Sequence, residues 1–292
     1  MRLLFVIPHY FGAGPQCYGS TDVTQLERRA ASLRNCIGSL HRHFGSRQHL
    51  LLHDGDRRQV NRMVTNVIDI VVCVTGNSHL VDQIGLPDGS FRTHAAQVDD
   101  PRLLGFSCYQ VLRKEFGSYD WYCYLEDDIV IEDPLFFWKL QAFYDEVKDA
   151  RYLLQPNRFE VAGTEKAYID GPLWEDSADF LSKLRLPGGR DEVSIPFGPA
   201  TFRMTLAENP HAGCFFLTPA HLQHMLEQPW YGDPVVGYAG PLESAATMYA
   251  LTLFHLFKPA DEYAAFLEVR HDHRKFLRGT VNQPTESVLY ED

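Results

Sequence analysis

Glu126, Asp127 and Asp128 stand in a row between two apolar runs, Tyr122-Cys123-Tyr124-Leu125 and Ile129-Val130-Ile131. Adjacent carboxylates repel one another and lose solvation when buried, so a structure tolerates them best where a divalent cation or cationic ligand sits. Hard cations such as Mg²⁺ and Mn²⁺ prefer carboxylate oxygens and share them with substrate phosphates. The apolar flanks argue against a solvated turn. Three further groups could join such chemistry. Glu243 opens a long apolar segment, where a carboxylate gains from the helix dipole. His271 and His273 lie in Val269-Arg270-His271-Asp272-His273-Arg274, and an extended backbone puts both imidazoles on one side. Arg270, Arg274 and Lys275 add positive charge beside them.

The elements that must carry these residues are legible in outline. Residues 3–7 form a continuous apolar run, as in a strand buried on both faces, and end in Pro8-His9-Tyr10. A helix is expected over 25–44, with Leu33, Ile37, Leu40 and Phe44 as its apolar stripe and Gly45 as its stop. A second strand is expected over 49–53, ending in Asp54-Gly55-Asp56, and a third over 67–74. Asp100 and Pro101 start the next helix and Gly117 closes it, directly before the strand that ends in the three acids. This alternation predicts an α/β fold with a Rossmann-type, mostly parallel sheet and helices on both faces. Ligands bind beyond the carboxyl ends of such strands, where the three polar strand ends are expected to converge.

The second half reads less regularly. Asp133-Pro134 starts a helix, residues 214–217 form a strand, Thr218-Pro219 starts a short helix, and Gly240-Pro241 precedes a long apolar helix over 242–257. A strand over 264–269 leads into the two histidines. Asn157, Arg158 and Glu160 form a polar group after an apolar run. No internal repeat or low-complexity linker appears, so 1–292 reads as one domain.

The net charge of −11 and pI of about 5.6 argue against nucleic acid and anionic membranes as main partners, although a local basic cluster could still bind a nucleotide diphosphate. The N-terminal apolar run is too short for a signal peptide, and no stretch approaches the roughly 20 apolar residues of a membrane span. The six cysteines include no CxxC pair, which fits a reduced, cytoplasmic protein. Oligomeric state is not written in the sequence.

An apolar strand closing on Glu126-Asp127-Asp128 resembles the "DxD"-type motif of the GT-A nucleotide-sugar glycosyltransferases, in a Glu-Asp-Asp form. The resemblance implies a GT-A-like domain with a nucleotide-sugar half over 1–133, an acceptor and catalytic half over 134–273, and a tail over 274–292. It implies that Asp128 ligates Mn²⁺ or Mg²⁺, that Glu126 lies near the sugar nucleotide or the metal, and that Asp127 belongs to the same donor site. Loops after the first two strands hold the nucleoside in that family, which points to Pro8, His9, Tyr10 and to Asp54 or Asp56. A C-terminal histidine often completes the metal site, here His271 or His273, with Arg274 beside the diphosphate. Glu243 matches the helix-start carboxylate that serves inverting members as catalytic base, and Asn209 and His211 fall in the acceptor region. The partners implied are a nucleotide-sugar donor, UDP-linked, and a glycan or other hydroxyl acceptor. Two alternatives stand beside this reading. A sugar-phosphate nucleotidyltransferase needs a Gly-rich, basic signature after the first strand, whereas no basic residue occurs there before Arg28. A non-enzymatic divalent-cation or carbohydrate-binding protein predicts no nucleotide affinity.

Overall fold

The computed structural model describes residues 1–12, 20–173, 175–273 and 276–277. The elements of the first part are β1 (Arg2–Pro8), α1 (Leu26–Phe44), β2 (His49–Leu51), β3 (Arg57–Gln59), β4 (Val67–Thr75), β5 (Arg92–Ala96), α2 (Leu104–Lys114), β6 (Trp121–Leu125) and β7 (Ile129–Val130). There follow α3 (Phe136–Val147), β8 (Tyr152–Leu154), β9 (Asn157–Ala162), β10 (Glu165–Tyr168), α4 (Glu175–Ser182), β11 (Glu192–Phe197), β12 (Ala200–Leu206) and β13 (Cys214–Leu217). The chain then continues through α5 (Pro219–Leu226), α6 (Pro241–Leu253), β14 (His255–Pro259) and β15 (Glu268–His271).

The central sheet has the order β13-β6-β1-β4-β5 and is parallel except for β13. Its inner strands are apolar at nearly every position because both faces are covered. On one face Leu3, Phe5 and Ile7 pack with Leu33, Ile37, Leu40 and Phe44 of α1 and with Phe136, Phe137 and Leu140 of α3. On the other, Leu4 and Val6 pack with Tyr109 and Leu112 of α2 and with Ala246 and Tyr249 of α6. The expected mostly parallel sheet with helices on both faces is therefore present. Two four-stranded sheets, β10-β9-β15-β7 and β11-β12-β14-β8, make up the irregular second half. Among the described residues no helix is long and apolar enough to cross a membrane.

Three expectations are corrected. The run over 49–53 is not a strand of the central sheet. Among the described residues β2 pairs only with β3, in a two-stranded hairpin whose strand residues are all exposed. Three consecutive leucines look like a buried strand, but the returning Arg57-Arg58-Gln59 offers no apolar face to share with the sheet. β4 takes the place beside β1, and β5, which was not anticipated, extends the sheet. The helix over 242–257 stops at Leu253, because Phe254 turns extended and His255–Pro259 runs parallel to β8. An apolar run buried all round does not distinguish helix from strand. The strand expected over 264–269 is a 3₁₀ turn over Asp261–Phe266, and the strand proper is β15.

Candidate active site

β1 and β6 lie side by side and end together, so Pro8 and Glu126 reach the same edge of the sheet. That edge opens into a cavity of about 810 Å³. Its walls include Pro8, Tyr10, Arg28, Arg29, all three acids, Arg158, His211, Glu243, His271 and His273. A tight turn follows β6. Glu126 N–H donates to Gly213 O (2.8 Å), and Ile129 N–H donates to Glu126 O (3.1 Å). Gly213 has φ +62°, and a Cβ there would lie 2.9 Å from Glu126 Oε2, so only glycine fits beneath the acidic turn. β7 then pairs antiparallel with β15, setting His271 against Ile129, while Asp272 N–H donates to Asp128 O (2.8 Å). Strand pairing thus brings together residues more than a hundred positions apart.

The three acids have different surroundings. Asp127 is buried and faces the protein. Arg29 NH2 donates to both its oxygens (2.7 and 2.8 Å), and His9 Nδ1 lies 2.5 Å from Oδ2. His9 Nε2 accepts Leu80 N–H (3.1 Å), which assigns the ring proton to Nδ1 and makes His9 the donor to Asp127. Burial opposes ionisation of Asp127, but Arg29 and His9 outweigh it and hold the carboxyl below its ordinary value. Asp128 Oδ2 lies 3.5 Å from His271 Nε2, 3.4 Å from His273 Nε2 and 3.5 Å from Arg29 NH1. Burial again opposes its charge, and His271, His273 and Arg29 depress its pKa strongly. Glu126 goes the other way. Burial and the neighbouring Asp128 push it up to about 8, with Glu243 adding to the rise.

The two histidines are not equivalent. Arg29 NH1 lies 3.1 Å from His273 Nε2, and a guanidinium only donates, so that nitrogen's lone pair is engaged. His271 Nδ1 instead faces Glu160 Oε1 (2.8 Å), and Glu160 is completely buried. Glu160 also accepts Leu277 N–H (3.0 Å), so it acts as a fixed acceptor and turns His271 Nε2 toward Asp128. Burial would lower the His271 pKa, but Asp128 and Glu160 raise it to about 9. Such a carboxylate–imidazole pairing is the arrangement that orients a metal-binding histidine. The donor set of Asp128 and His271 therefore fits a divalent cation. Among the described residues no group of three or more His, Cys, Asp or Glu forms a complete cage, so oxygens of a ligand would have to finish the shell.

The far wall is built on a buried ion network. Asp170 accepts from Arg158 Nε (2.9 Å) and Lys258 Nζ (2.9 Å), and Lys258 also donates to His211 O (2.7 Å). Asn209 Oδ1 accepts His211 N–H (3.1 Å) and Tyr238 O–H (2.8 Å). Thr247 Oγ1 sits 2.8 Å from His211 Nδ1, which leaves Nε2 3.9 Å from Glu126. Burial, then Arg158, drives the His211 pKa well down, so this imidazole is neutral at physiological pH. Glu243 sits in the first turn of α6, where its Oε2 is buried without a hydrogen-bond partner among the described residues.

The sequence placed Pro8, Tyr10, Glu126, Asp127, Asp128, Glu243, His271 and His273 at one site, and all eight line this cavity. His9 does not line it, because both ring nitrogens are committed to Asp127 and Leu80 and the side chain is buried behind the acids. Asp54 and Asp56 do not line it either. They form the exposed turn of the β2–β3 hairpin, where Asp54 Oδ1 accepts Asp56 N–H (3.0 Å). That hairpin departs and returns at Phe44 and Asn66, beside the first residue pair of β1 and β4, at the opposite end of the sheet. Arg274 lies outside the described residues. Sequence reasoning missed Arg29. It continues the stripe of Leu33, Ile37, Leu40 and Phe44 one turn earlier, and a charge on a buried stripe signals a buried partner.

No family model and no curated protein matches the chain. Among solved structures, the chain is similar to S. aureus TarS, with 12% identity over 92% of this chain and 36% of that one and a TM-score of 0.44. It is similar to TarS 1-349 in complex with UDP-GlcNAc, at 11% identity, 92% and 58% coverage and a TM-score of 0.42. TarS 1-349 alone gives 12% identity, 92% and 60% coverage and a TM-score of 0.42. The chain thus spans from about a third to three fifths of those proteins. At TM-scores this low the likeness assigns neither a family nor a function.

Proposed function

We propose that the cavity is the active site of a glycosyltransferase that moves a sugar from a nucleotide-sugar donor, UDP-linked, to a glycan or other hydroxyl acceptor with inversion at the anomeric carbon. One observation carries this reading. Three consecutive acids at the carboxyl end of a parallel strand share a cavity with an oriented imidazole and with a helix-start carboxylate that has an unpartnered oxygen. The acids and His271 suit a divalent cation, and the imidazole favours Mn²⁺ over Mg²⁺. Asp128 and His271 would hold the ion, with Glu126 beside it. Such an ion, when bound, neutralises charge on a departing nucleoside diphosphate.

The chain's own residues supply the remainder. Arg28 faces the cavity and can take phosphate oxygens. Glu243, in the first turn of α6, accepts the proton of the acceptor hydroxyl as that oxygen attacks the anomeric carbon. His211 and Asn209, fixed by Thr247 and Tyr238, line the side on which the acceptor enters.

Titration calorimetry with UDP, with and without Mn²⁺, tests the core of the reading. The expected result is UDP binding that requires the ion and is lost in Asp128→Ala. Equal UDP affinity in that variant defeats the metal assignment, and absence of UDP affinity under all conditions defeats the nucleotide-sugar reading itself. A screen of nucleotide sugars for metal-dependent hydrolysis then identifies the donor.

A further inference from the structure

The β2–β3 hairpin and the segment after it stand out in two ways among the described residues. An isolated two-stranded hairpin is marginal in water, yet this one pairs with no other strand among the described residues, and every residue of both strands is exposed. It also displays large apolar side chains, with Leu51 71% and Met63 93% exposed and Leu50, Leu52 and Val64 exposed around them. Scattered exposed apolar residues need no explanation, but three consecutive exposed leucines on one hairpin, followed closely along the chain by Met63 and Val64, mark a contact surface.

Its charge is equally out of place. Residues 49–64 hold Arg57, Arg58 and Arg62 against Asp54 and Asp56, net +1, while the other residues hold 24 basic and 36 acidic groups, net −12. Arg57, Arg58 and Arg62 form no ion pair with any described residue. The strand register puts Leu51 opposite Arg57 and Leu50 opposite Arg58, so each face of the hairpin presents an apolar side chain beside a guanidinium. That pairing matches a layered surface, with apolar groups entering the acyl boundary while guanidiniums meet lipid phosphates.

We infer that this hairpin, with Met63 and Val64, docks the protein on an anionic lipid surface. The acidic balance of the chain as a whole opposes such a surface, so the attraction is local and oriented. Asp54 and Asp56 close the turn, which leaves the strands and the segment to Val64 as the parts that meet the headgroups. A nucleic acid would satisfy the arginines but leave the leucines in water. A second copy would cover the leucines but bring two net-positive stretches together across a two-fold axis. The hairpin lies at the opposite end of the sheet from the cavity, so docking leaves the cavity open.

Sedimentation with vesicles of phosphatidylcholine, alone or mixed with phosphatidylglycerol, tests this on the full chain. The expected outcome is partition onto the anionic vesicles only, weakening as salt rises. Arg57→Glu/Arg58→Glu is expected to reduce partition roughly tenfold or more, since each guanidinium near such a surface contributes about a fivefold factor. Leu51→Ser/Met63→Ser is expected to weaken it as well, with transfer activity in solution unchanged. Failure to bind anionic vesicles, or binding undiminished in both variants, overturns the inference. So does a concentration-dependent dimer that Leu51→Ser/Met63→Ser dissolves.

Discussion

Glu160 holds His271 from behind, with its Oε1 2.8 Å from His271 Nδ1 on the side away from Asp128. It is fully buried, and it is anchored by the backbone N–H of Leu277 at 3.0 Å. Burial opposes its charge, yet the His271 ring and the backbone donors hold its carboxyl below the ordinary value. Removing such a partner typically costs about 10–100-fold in metal affinity. Glu160→Gln is therefore expected to weaken the Mn²⁺ dependence of UDP binding by that factor while preserving the fold. A calorimetric Mn²⁺ affinity identical to the parent's would reduce Glu160 to a structural hydrogen-bond acceptor.

On the proposed function, Glu243 acts on the acceptor rather than the donor. Glu243→Gln is expected to keep UDP affinity and lose about 10²–10⁴-fold in transfer rate, the range of general-base catalysis. The lost contact with the helix dipole is worth about 0.3–1 kcal/mol, too little to unfold a typical domain. Full transfer activity in this variant, or a product with retained anomeric configuration, would remove Glu243 from the chemistry.

What the sequence shows of this site follows from which contacts are local. The acidic turn, the helix-start Glu243 and the paired histidines announce themselves through runs and spacing that the chain displays directly. Arg29 does not, because its partners Asp127 and Asp128 lie about a hundred residues away and are met only through the packing of α1 on β6 and β7. His9 misled for the same reason, since a polar strand end says nothing of whether its ring nitrogens turn toward ligand or core. In the fold, the strands buried on both faces were legible from continuous apolar runs, and the helices from caps and stripes. The leucine run at 50–52 has the same local pattern, but whether a neighbour covers it is a tertiary matter that periodicity does not carry. The sheets of the second half were hidden because their strands are partly polar and partly exposed, as in β10, β11 and β12.

Asp170 is the keystone of the ion network behind the far wall of the cavity. Its carboxylate is almost inaccessible, as are Arg158 and Lys258 on either side of it. Burial opposes its charge, but Arg158 and then Lys258 depress its pKa strongly. Asp170 is thus committed to two cations and is no candidate for a proton acceptor. Asp170→Asn leaves two positive charges buried with one neutral partner. Breaking a buried ion pair costs about 3–5 kcal/mol, and that is the loss expected in urea unfolding. Adding Lys258→Met is expected to recover part of it. A loss within about 0.5 kcal/mol, the range of ordinary surface substitutions, would show that this network bears little of the fold's stability.

The last expectation concerns acid stability, away from the site. His221 is buried in the first turn of α5, where Thr218 and His221 form a reciprocal cap. Nδ1 accepts Thr218 N–H at 3.1 Å, so the ring proton sits on Nε2, 3.1 Å from Tyr152 O. The cap therefore requires a neutral imidazole. Burial lowers the pKa to about 4, only partly offset by the Tyr152 carbonyl. In the unfolded chain the group titrates near 6.5. Between those values the unfolded state binds a proton that the folded state refuses, so stability falls as pH drops from about 6.5 to 4 and this contribution is constant outside that window. The full loss amounts to about 3 kcal/mol at 1.36 kcal/mol per unit. His221→Gln keeps a capping-box residue that does not titrate. It is expected to be somewhat less stable than the parent at pH 7, having lost the bond to Tyr152, yet to lose less stability on acidification. Urea midpoints for both proteins at pH 7 and pH 4 measure the difference. Parallel losses in the two would mean that His221 takes up its proton equally in the folded and unfolded chains, and the acid sensitivity would then belong to other buried groups such as His211.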